Sequence, residues 1–316
     1  MKLLFVCQPH SHHFAVPYLK NLTSTPDVPS GATPTQIREW ADRYDAIWFE
    51  WANAYTERMI VDGPVGAFTI VRVHDWEIRT GRIQGMNWSA VDAVWFINPE
   101  AQEDFNRQVE LPNQKQFFLP NAVDLAEWPL VAKGSKHLGI VTANVQPRKA
   151  LQRAVDLMEL LPNDYRLTIR TSREPHPQFM QEVENLRQRV HAFNFKYGDR
   201  ITLEWRPFRE NQILTHRSEI VDFWRDKSHA VSVAEHEGFC YGVAEGMACG
   251  AAGAILRWEW GRPETFYNCV ENTLPKLARR ITESHPGPLN RLFIDAFSST
   301  ELAPRLENII TERIGK

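Results

Sequence analysis

Short apolar runs and amphipathic stretches alternate along the chain from its first residues. Residues 3–7, 46–51, 69–74, 93–97 and 116–119 are apolar runs of strand length, and residues 14–22, 35–44, 52–61 and 101–109 between them carry apolar side chains at helical spacing. Strand-then-helix alternation is the signature of a parallel sheet covered by helices. Residues 23–34 interrupt it with Pro, Ser, Thr and Gly and read as a loop near a cleft or on the surface. At 127–136 the periodicity dissolves into EWPLVAKGSK, a linker-like segment. Alternation then restarts, with strands expected at 137–143, 166–170, 201–205, 230–234 and 251–256 and helices at 149–161, 177–196, 219–225 and 242–249. Residues 272–316 read as helical with a Pro-Gly-Pro break at 286–288.

A chain of 316 residues is long for one core and comfortable for two. The expected organisation is therefore α/β, with two Rossmann-like domains facing a cleft. Residues 1–130 would form the first, and residues 131–316, including the C-terminal helices, the second.

Composition narrows the class. Hydrophobic residues at 43% and charged residues at 24% describe an ordinary globular protein, and a formal charge of −3 with a pI near 6.4 disfavours broad nucleic-acid binding. Cys7, Cys240, Cys249 and Cys269 match no zinc or CxxC spacing, which fits a reduced cytosol. The opening MKLLFVCQPHSHHF has too short an apolar run for a signal peptide, and no stretch approaches the ~18 apolar residues of a membrane helix, so a cytoplasmic location is expected. Eleven tryptophans and seventeen phenylalanines mostly serve core packing, with room for some to line a cleft or touch a membrane surface peripherally.

Candidate chemistry concentrates in residues 229–256, HAVSVAEHEGFCYGVAEGMACGAAGAIL. An apolar strand leads to a turn holding Glu237 and Gly238, then a small-residue helix carries Glu245 before the next apolar run. In such a βαβ unit the acids sit at the binding edge, and the helix N-terminus offers N–H groups to phosphate. Two acids flanking an anion site suit a sugar nucleotide. Gly238, Gly242 and Gly246 would let the backbone approach it closely. The competing reading is a surface helix with solvated glutamates.

EGFCYGVAEGMACG resembles the E-x7-E signature, often EGFG-x4-EAMA-x-G, of family-4-type retaining glycosyltransferases (glycosyl transferases group 1), which have the GT-B fold. The likeness covers most of the second half and part of the first. FLPNAVD at 118–124 looks like the family's PNGVD segment, and a turn built on Pro120 and Asn121 serves equally well. GIVTANVQPRKAL at 139–151 resembles the strand-loop-helix G-R-x4-K-G, with Lys149 on the lysine that holds donor phosphate. Ala143, Asn144 and Ala150 replace its usual glycine, arginine and second glycine, and Arg148 would supply the missing charge. ITLEWRPF at 201–208 lacks the glycine turn near the nucleobase; Arg206 or Phe208 covers the base, or the segment is a plain turn. WGRPETF at 260–266 resembles the Gly-Gly-x-x-Glu segment, with residues 258–261 as a loop above the sugar pocket.

In the first half, TIVRVHDWE places His74 and Asp75 at a strand's C-terminal end, with Arg72 and Glu77 as secondary candidates. It looks like the family's strand ending in His-Asp near the reacting sugar. His10, His12 and His13, which follow the first strand, and Asp75 are the acceptor-side candidates. No acid or cysteine cluster accompanies the three histidines at ligand spacing, so no metal is expected.

The resemblance implies a metal-independent retaining glycosyltransferase without a cofactor, moving a hexose-like sugar from a nucleoside diphosphate donor to a hydroxyl acceptor on a glycan, lipid-linked or small molecule. It assigns Glu237 to sugar hydroxyls, Glu245 to ribose, Lys149 and Arg148 to the diphosphate and His74 to the reacting sugar, with Gly238, Phe239, Cys240, Asn144 and Arg206 around the donor. The alternatives are a catalytically silent sugar-nucleotide-binding or scaffolding protein of the same fold and a DNA-modifying glucosyltransferase. A nicotinamide dehydrogenase is disfavoured because no GxGxxG follows the first strand.

Overall fold

The computed structural model describes residues 1–8, 14–23, 32–132, 134–171, 176–206, 213–259 and 261–315, with 213–216 as backbone alone. The chain divides into two units, Met1–Asp124 with Phe297–Lys316, and Leu125–Ala296.

The first unit is built on five parallel strands, β1 (Leu3–Val6), β2 (Ala46–Glu50), β3 (Phe68–Val73), β4 (Ala93–Phe96) and β5 (Gln116–Phe118), paired in chain order. Its early helices are α1 (Val16–Leu19), α2 (Pro34–Ala41), α3 (Ala54–Ile60), α4 (Asp75–Arg79) and α5 (Pro99–Asn106). Side chains alternate across the sheet. Leu4, Val6, Ile47, Phe49, Val71, Val73, Val94 and Phe96 pack with Ile37 and Ala41 of α2, Met59 and Ile60 of α3 and Phe105 of α5.

The second unit has six strands, β6 (His137–Thr142), β7 (Arg166–Thr171), β8 (Ile201–Trp205), β9 (His229–Ser232), β10 (Ala252–Leu256) and β11 (Val270–Glu271). They pair in parallel in the order β11-β10-β9-β6-β7-β8. One face carries Leu138, Ile140, Leu167, Ile169, Val231 and Leu256 against α6 (Gln152–Leu160), α7 (Met180–Tyr197) and α10 (Leu274–Glu283). The other is lined by small residues, Gly139, Ala230 and Gly253, beneath α8 (Ile213–Trp224) and α9 (Tyr241–Ala248). A Cβ at Gly139 would lie 2.7 Å from Trp224, and one at Gly246 would lie 2.5 Å from the Cβ of Ala230. A further helix, α11 (Pro288–Asp295), packs on α9.

Sequential strand order explains where the chain ends. Right-handed crossovers that all step in one direction place their helices on one face of a sheet. The opposite face of the first unit, Leu3, Phe5, Ala46, Trp48, Ile70, Ala93 and Trp95, therefore needs another cover. It is supplied by Tyr18 of α1 and by α12 (Ser299–Ile314), whose Leu302, Ala303, Leu306 and Ile310 are buried there. The return is fastened by Val123 N–H donating to Phe297 O at 2.8 Å and Ser299 N–H to Val123 O at 2.9 Å. Sequence periodicity assigns these last residues to the second domain and the boundary to 130; the structure returns residues 297–316 to the first unit and divides the chain after Asp124. Periodicity reveals an amphipathic helix but not which sheet its apolar face covers. The reading also passed over β11 and α4, elements of two and five residues, too short to show a period.

Candidate active site

In an open parallel sheet ligands bind beyond the C-terminal ends of the strands where the strand order reverses. In the second unit that point lies between β6 and β9, whose succeeding segments include Asn144–Lys149 and Glu235–Cys240. A hydrogen bond from Glu235 N–H to Arg148 O, 2.8 Å, joins them. Lys149 Nζ pairs with Glu237 Oε1. Arg148 Nη1 donates to Glu237 Oε2 at 3.3 Å and to His236 O at 3.1 Å, and its Nε donates to Gln146 Oε1 at 3.0 Å. Side-chain exposure is 11% for Glu237, 15% for Lys149 and 36% for Arg148. Burial alone would raise the Glu237 carboxyl; the two cations outweigh it and hold the group below its ordinary value, so it is a carboxylate at neutral pH.

The loop carrying the cations is a 3-10 turn, Pro147–Lys149, closed by Ala150 at φ 46 and ψ 37. That is the left-handed region, where glycine is favoured because a Cβ crowds the backbone. Ala150 adopts this conformation with a Cβ, where a glycine would be free of that crowding.

Glu245 lies in the second turn of α9, half-buried, with no hydrogen bond to its carboxyl among the described residues. Burial pushes it up to about 8, with the Arg217 charge opposing. At neutral pH it is mostly the uncharged acid. Cys240 is the N-cap of α9 and gives no side-chain cap; its buried thiol is pushed up to about 11. Phe239 is buried against Tyr241, Phe266 and Tyr267, so its ring is core. Gly242 and Gly246 face the sheet, since a Cβ at Gly242 would meet Val141 O at 2.5 Å. Their smallness serves helix-on-sheet packing rather than close approach to a ligand. Gly261, at φ 116, brings its own loop within 3.6 Å of Glu237 O, measured from the Cβ it lacks.

In the first unit, a buried polar row crosses the C-terminal ends of β2 and β3. Glu50 and Arg72 are register partners, with Arg72 Nη1 donating to Glu50 Oε1 at 3.1 Å and Oε2 at 3.3 Å. His74 Nε2 lies 2.9 Å from Glu50 Oε1. Its ring stacks on Trp51, centroids 3.9 Å apart at 20°. Trp51 has φ 78, an unusual conformation for a bulky residue and one that accumulates at functional sites. Arg72 also donates to Asn121 Oδ1 and lies 4.3 Å from the Trp95 ring centroid. Glu77 accepts N–H bonds from His74, 3.0 Å, and Ala52, 3.2 Å. Its burial, ahead of the other influences, pushes it up to about 8. The sequence reading named His74, Arg72 and Glu77 but missed Glu50 and Trp51. A carboxylate inside the run AIWFE, opposite the arginine of FTIVRV, was the available signal.

Solved structures similar to this chain match it over most of its length. HepE of Anabaena in complex with UDP and glucose aligns with a TM-score of 0.70 at 12% identity, covering 99% of this chain and 100% of that one. A UDP-forming α,α-trehalose-phosphate synthase from Burkholderia xenovorans gives 0.72 at 12%, covering 100% and 99%. Sucrose-phosphate synthase from Thermosynechococcus elongatus gives 0.60 at 15%, covering 89% and 77%. The chain has the GT-B fold. No protein-family model matches it, and no curated protein matches it in sequence.

Within its GT-B architecture the expected residues are unevenly gathered. Lys149, Arg148 and Glu237 meet, and Gly238, Phe239 and Cys240 follow in the same connection. Asn144 is half-buried in the opposite segment, its carbonyl accepting from Thr142 Oγ1 at 3.2 Å. Arg206 is exposed beyond the edge strand β8, two strands and so about 10 Å from β6 by ordinary strand spacing. Asp75 begins α4. His10, His12, His13 and Phe208 lie outside the described residues. Among the described residues no group of three His, Cys, Asp or Glu side chains is placed to hold a metal ion, and no helix is long and apolar enough to cross a membrane.

Proposed function

We propose that this chain is a retaining glycosyltransferase that moves a hexose-like sugar from a nucleoside diphosphate donor to a hydroxyl acceptor. The observation that carries the reading is the grouping of Glu237, Lys149 and Arg148 at the point where the second sheet reverses its strand order. A diphosphate is a dianion or more, and two convergent cations at a loop before a helix neutralise it without a metal. The bound UDP and glucose in the HepE structure are a donor's two halves, which supports the same assignment here.

Lys149 and Arg148 stabilise the departing diphosphate. The Glu237 carboxylate accepts hydrogen bonds from sugar hydroxyls, and Glu245, as the neutral acid, both donates to and accepts from ribose hydroxyls. Asn144, Gly238, Phe239 and Cys240 contribute through the backbone around them, and His74 is assigned to the transferred sugar. No further carboxylate is needed as a nucleophile in a front-face substitution assisted by the leaving phosphate, so the anomeric configuration is kept. No cofactor takes part, and four buried free cysteines favour a cytoplasmic setting. Incubating the purified protein with a panel of nucleotide sugars and following donor consumption by mass spectrometry tests the reading.

A further inference from the structure

The buried row in the first unit goes beyond the residues assigned to sugar and phosphate. Glu50 is fully buried and makes no contact with solvent. One of its oxygens is shared between Arg72 Nη1 at 3.1 Å and His74 Nε2 at 2.9 Å. Arg72 is itself fixed by Asn121 Oδ1, by Phe14 O at 3.4 Å and by the faces of Tyr18 and Trp95. A carboxylate accepts but does not donate, so the proton in the His74 contact sits on the imidazole. Trp51, stacked at 3.9 Å, and Phe14, at 5.5 Å, confine the ring plane. The strained backbone of Trp51 is held by its own N–H donating to Arg72 O at 3.1 Å and by its O accepting from Thr56 Oγ1 at 2.6 Å.

We infer that Glu50 is a positioning residue for His74, fixing its imidazole as the Nε2–H tautomer and leaving the ring lone pair on Nδ1. This rests on the assignment of His74 to the transferred sugar for its relevance to catalysis, but not for its geometry. Arg72 keeps the positioning carboxylate charged. Burial alone would raise Glu50; Arg72 and then His74 outweigh it and hold the carboxyl below its ordinary value. Burial is also the leading cause that holds His74 below its ordinary value, ahead of the raising effect of Glu50, so the ring is neutral at physiological pH. The other charged groups acting on it are Asp75, which favours protonation, and Arg72, which opposes it. A neutral ring with one fixed tautomer is an oriented dipole, and this is the form of control a histidine at a reacting centre needs.

The test is a two-bond proton–nitrogen correlation spectrum of the full chain labelled at histidine, with His74 assigned by its loss in His74→Gln. The wild type should show His74 as the Nε2–H tautomer at neutral pH. An Nδ1–H tautomer there would overturn the inference without any variant of Glu50. Two double variants then separate positioning from mere packing, both without a buried charge left unpaired. Glu50→Gln/Arg72→Met keeps an acceptor and should retain the tautomer. Glu50→Leu/Arg72→Met should lose it and turn over about tenfold or more slowly than the Gln variant, at unchanged affinity for UDP. Equal tautomer populations and equal kcat in the two variants would reduce Glu50 to packing. A wild type that transfers no sugar refutes the proposed function yet leaves the tautomer measurement to decide Glu50 alone.

Discussion

Glu237→Gln should strengthen binding of free nucleoside diphosphate while weakening catalysis, a pair of opposite effects that follows from the ion pairs in the second unit. Glu237 occupies both cations assigned to the diphosphate, Lys149 directly and Arg148 at 3.3 Å. A ligand phosphate must displace it. The Arg148 contact is worth little, because a pair whose cation is 36% exposed is screened by water and contributes about 1 kcal/mol at most. Lys149, at 15% exposure, carries the larger share, and a hydrogen bond to a charged group is worth about 1.5–3 kcal/mol. Removing the competing carboxylate should therefore tighten diphosphate binding by about 1–3 kcal/mol, roughly fivefold to a hundredfold in Kd. Turnover falls because the amide no longer accepts sugar hydroxyls as a carboxylate does. The Lys149 ammonium also loses its partner, so the unliganded variant should be less stable and regain more on adding ligand. Calorimetric titration of wild type and variant with UDP and with inorganic pyrophosphate measures the first effect. Equal or weaker binding by the variant would show that Glu237 does not compete for these cations.

Three further outcomes are expected. Lys149→Ala should cut turnover about 100-fold to 1,000-fold, the usual loss when one donor to a developing charge is removed, with kcat at unchanged acceptor KM as the check; unaltered turnover would return Lys149 to structure. Ala150→Gly should leave the free energy of urea unfolding within about 1 kcal/mol of wild type, while Ala150→Val should cost more than that because a β-branched residue resists the left-handed region; the reverse ranking would contradict the backbone at φ 46. Glu245 carries its proton to about pH 8 when folded but loses it near 4.5 when unfolded, so its contribution to stability is full below 4.5 and declines as pH rises to 8. Glu245→Gln, neutral throughout, should match wild type at acid pH and exceed it in urea unfolding by about 4 kcal/mol near pH 8, at about 1.4 kcal/mol per pH unit above 4.5; a difference independent of pH would contradict the shift.

What the sequence revealed of the molecule follows from where the physics is local. The strands were legible where both faces of a sheet are covered, as in LLFV, AIWFE, AVWF and AGAIL, because runs that are almost wholly apolar stand out there. The destination of α12 was not, because it depends on which face of the first sheet the crossovers leave bare. At the candidate site, Glu237, Lys149 and Arg148 were readable as types at a strand end and a loop, but their pairing with one another depends on hydrogen bonding between two segments some 90 residues apart. Glycines at 242 and 246 read as ligand-facing because a glycine signals close approach without saying to what. Glu50 was hidden inside an apolar run; its meaning came from the register that sets it beside Arg72.

The central claim, sugar transfer from a nucleoside diphosphate donor at the Glu237, Lys149 and Arg148 grouping, is tested most directly by one experiment. The purified full chain is incubated with a panel of nucleotide sugars in EDTA, with and without hydroxyl acceptors, and diphosphate release is followed by mass spectrometry alongside Lys149→Ala. The account predicts that at least one donor releases its diphosphate despite the chelator, and that Lys149→Ala slows the release by about 100-fold or more. Donor cleavage that appears only when divalent metal is added, or that proceeds equally in the variant, would contradict it.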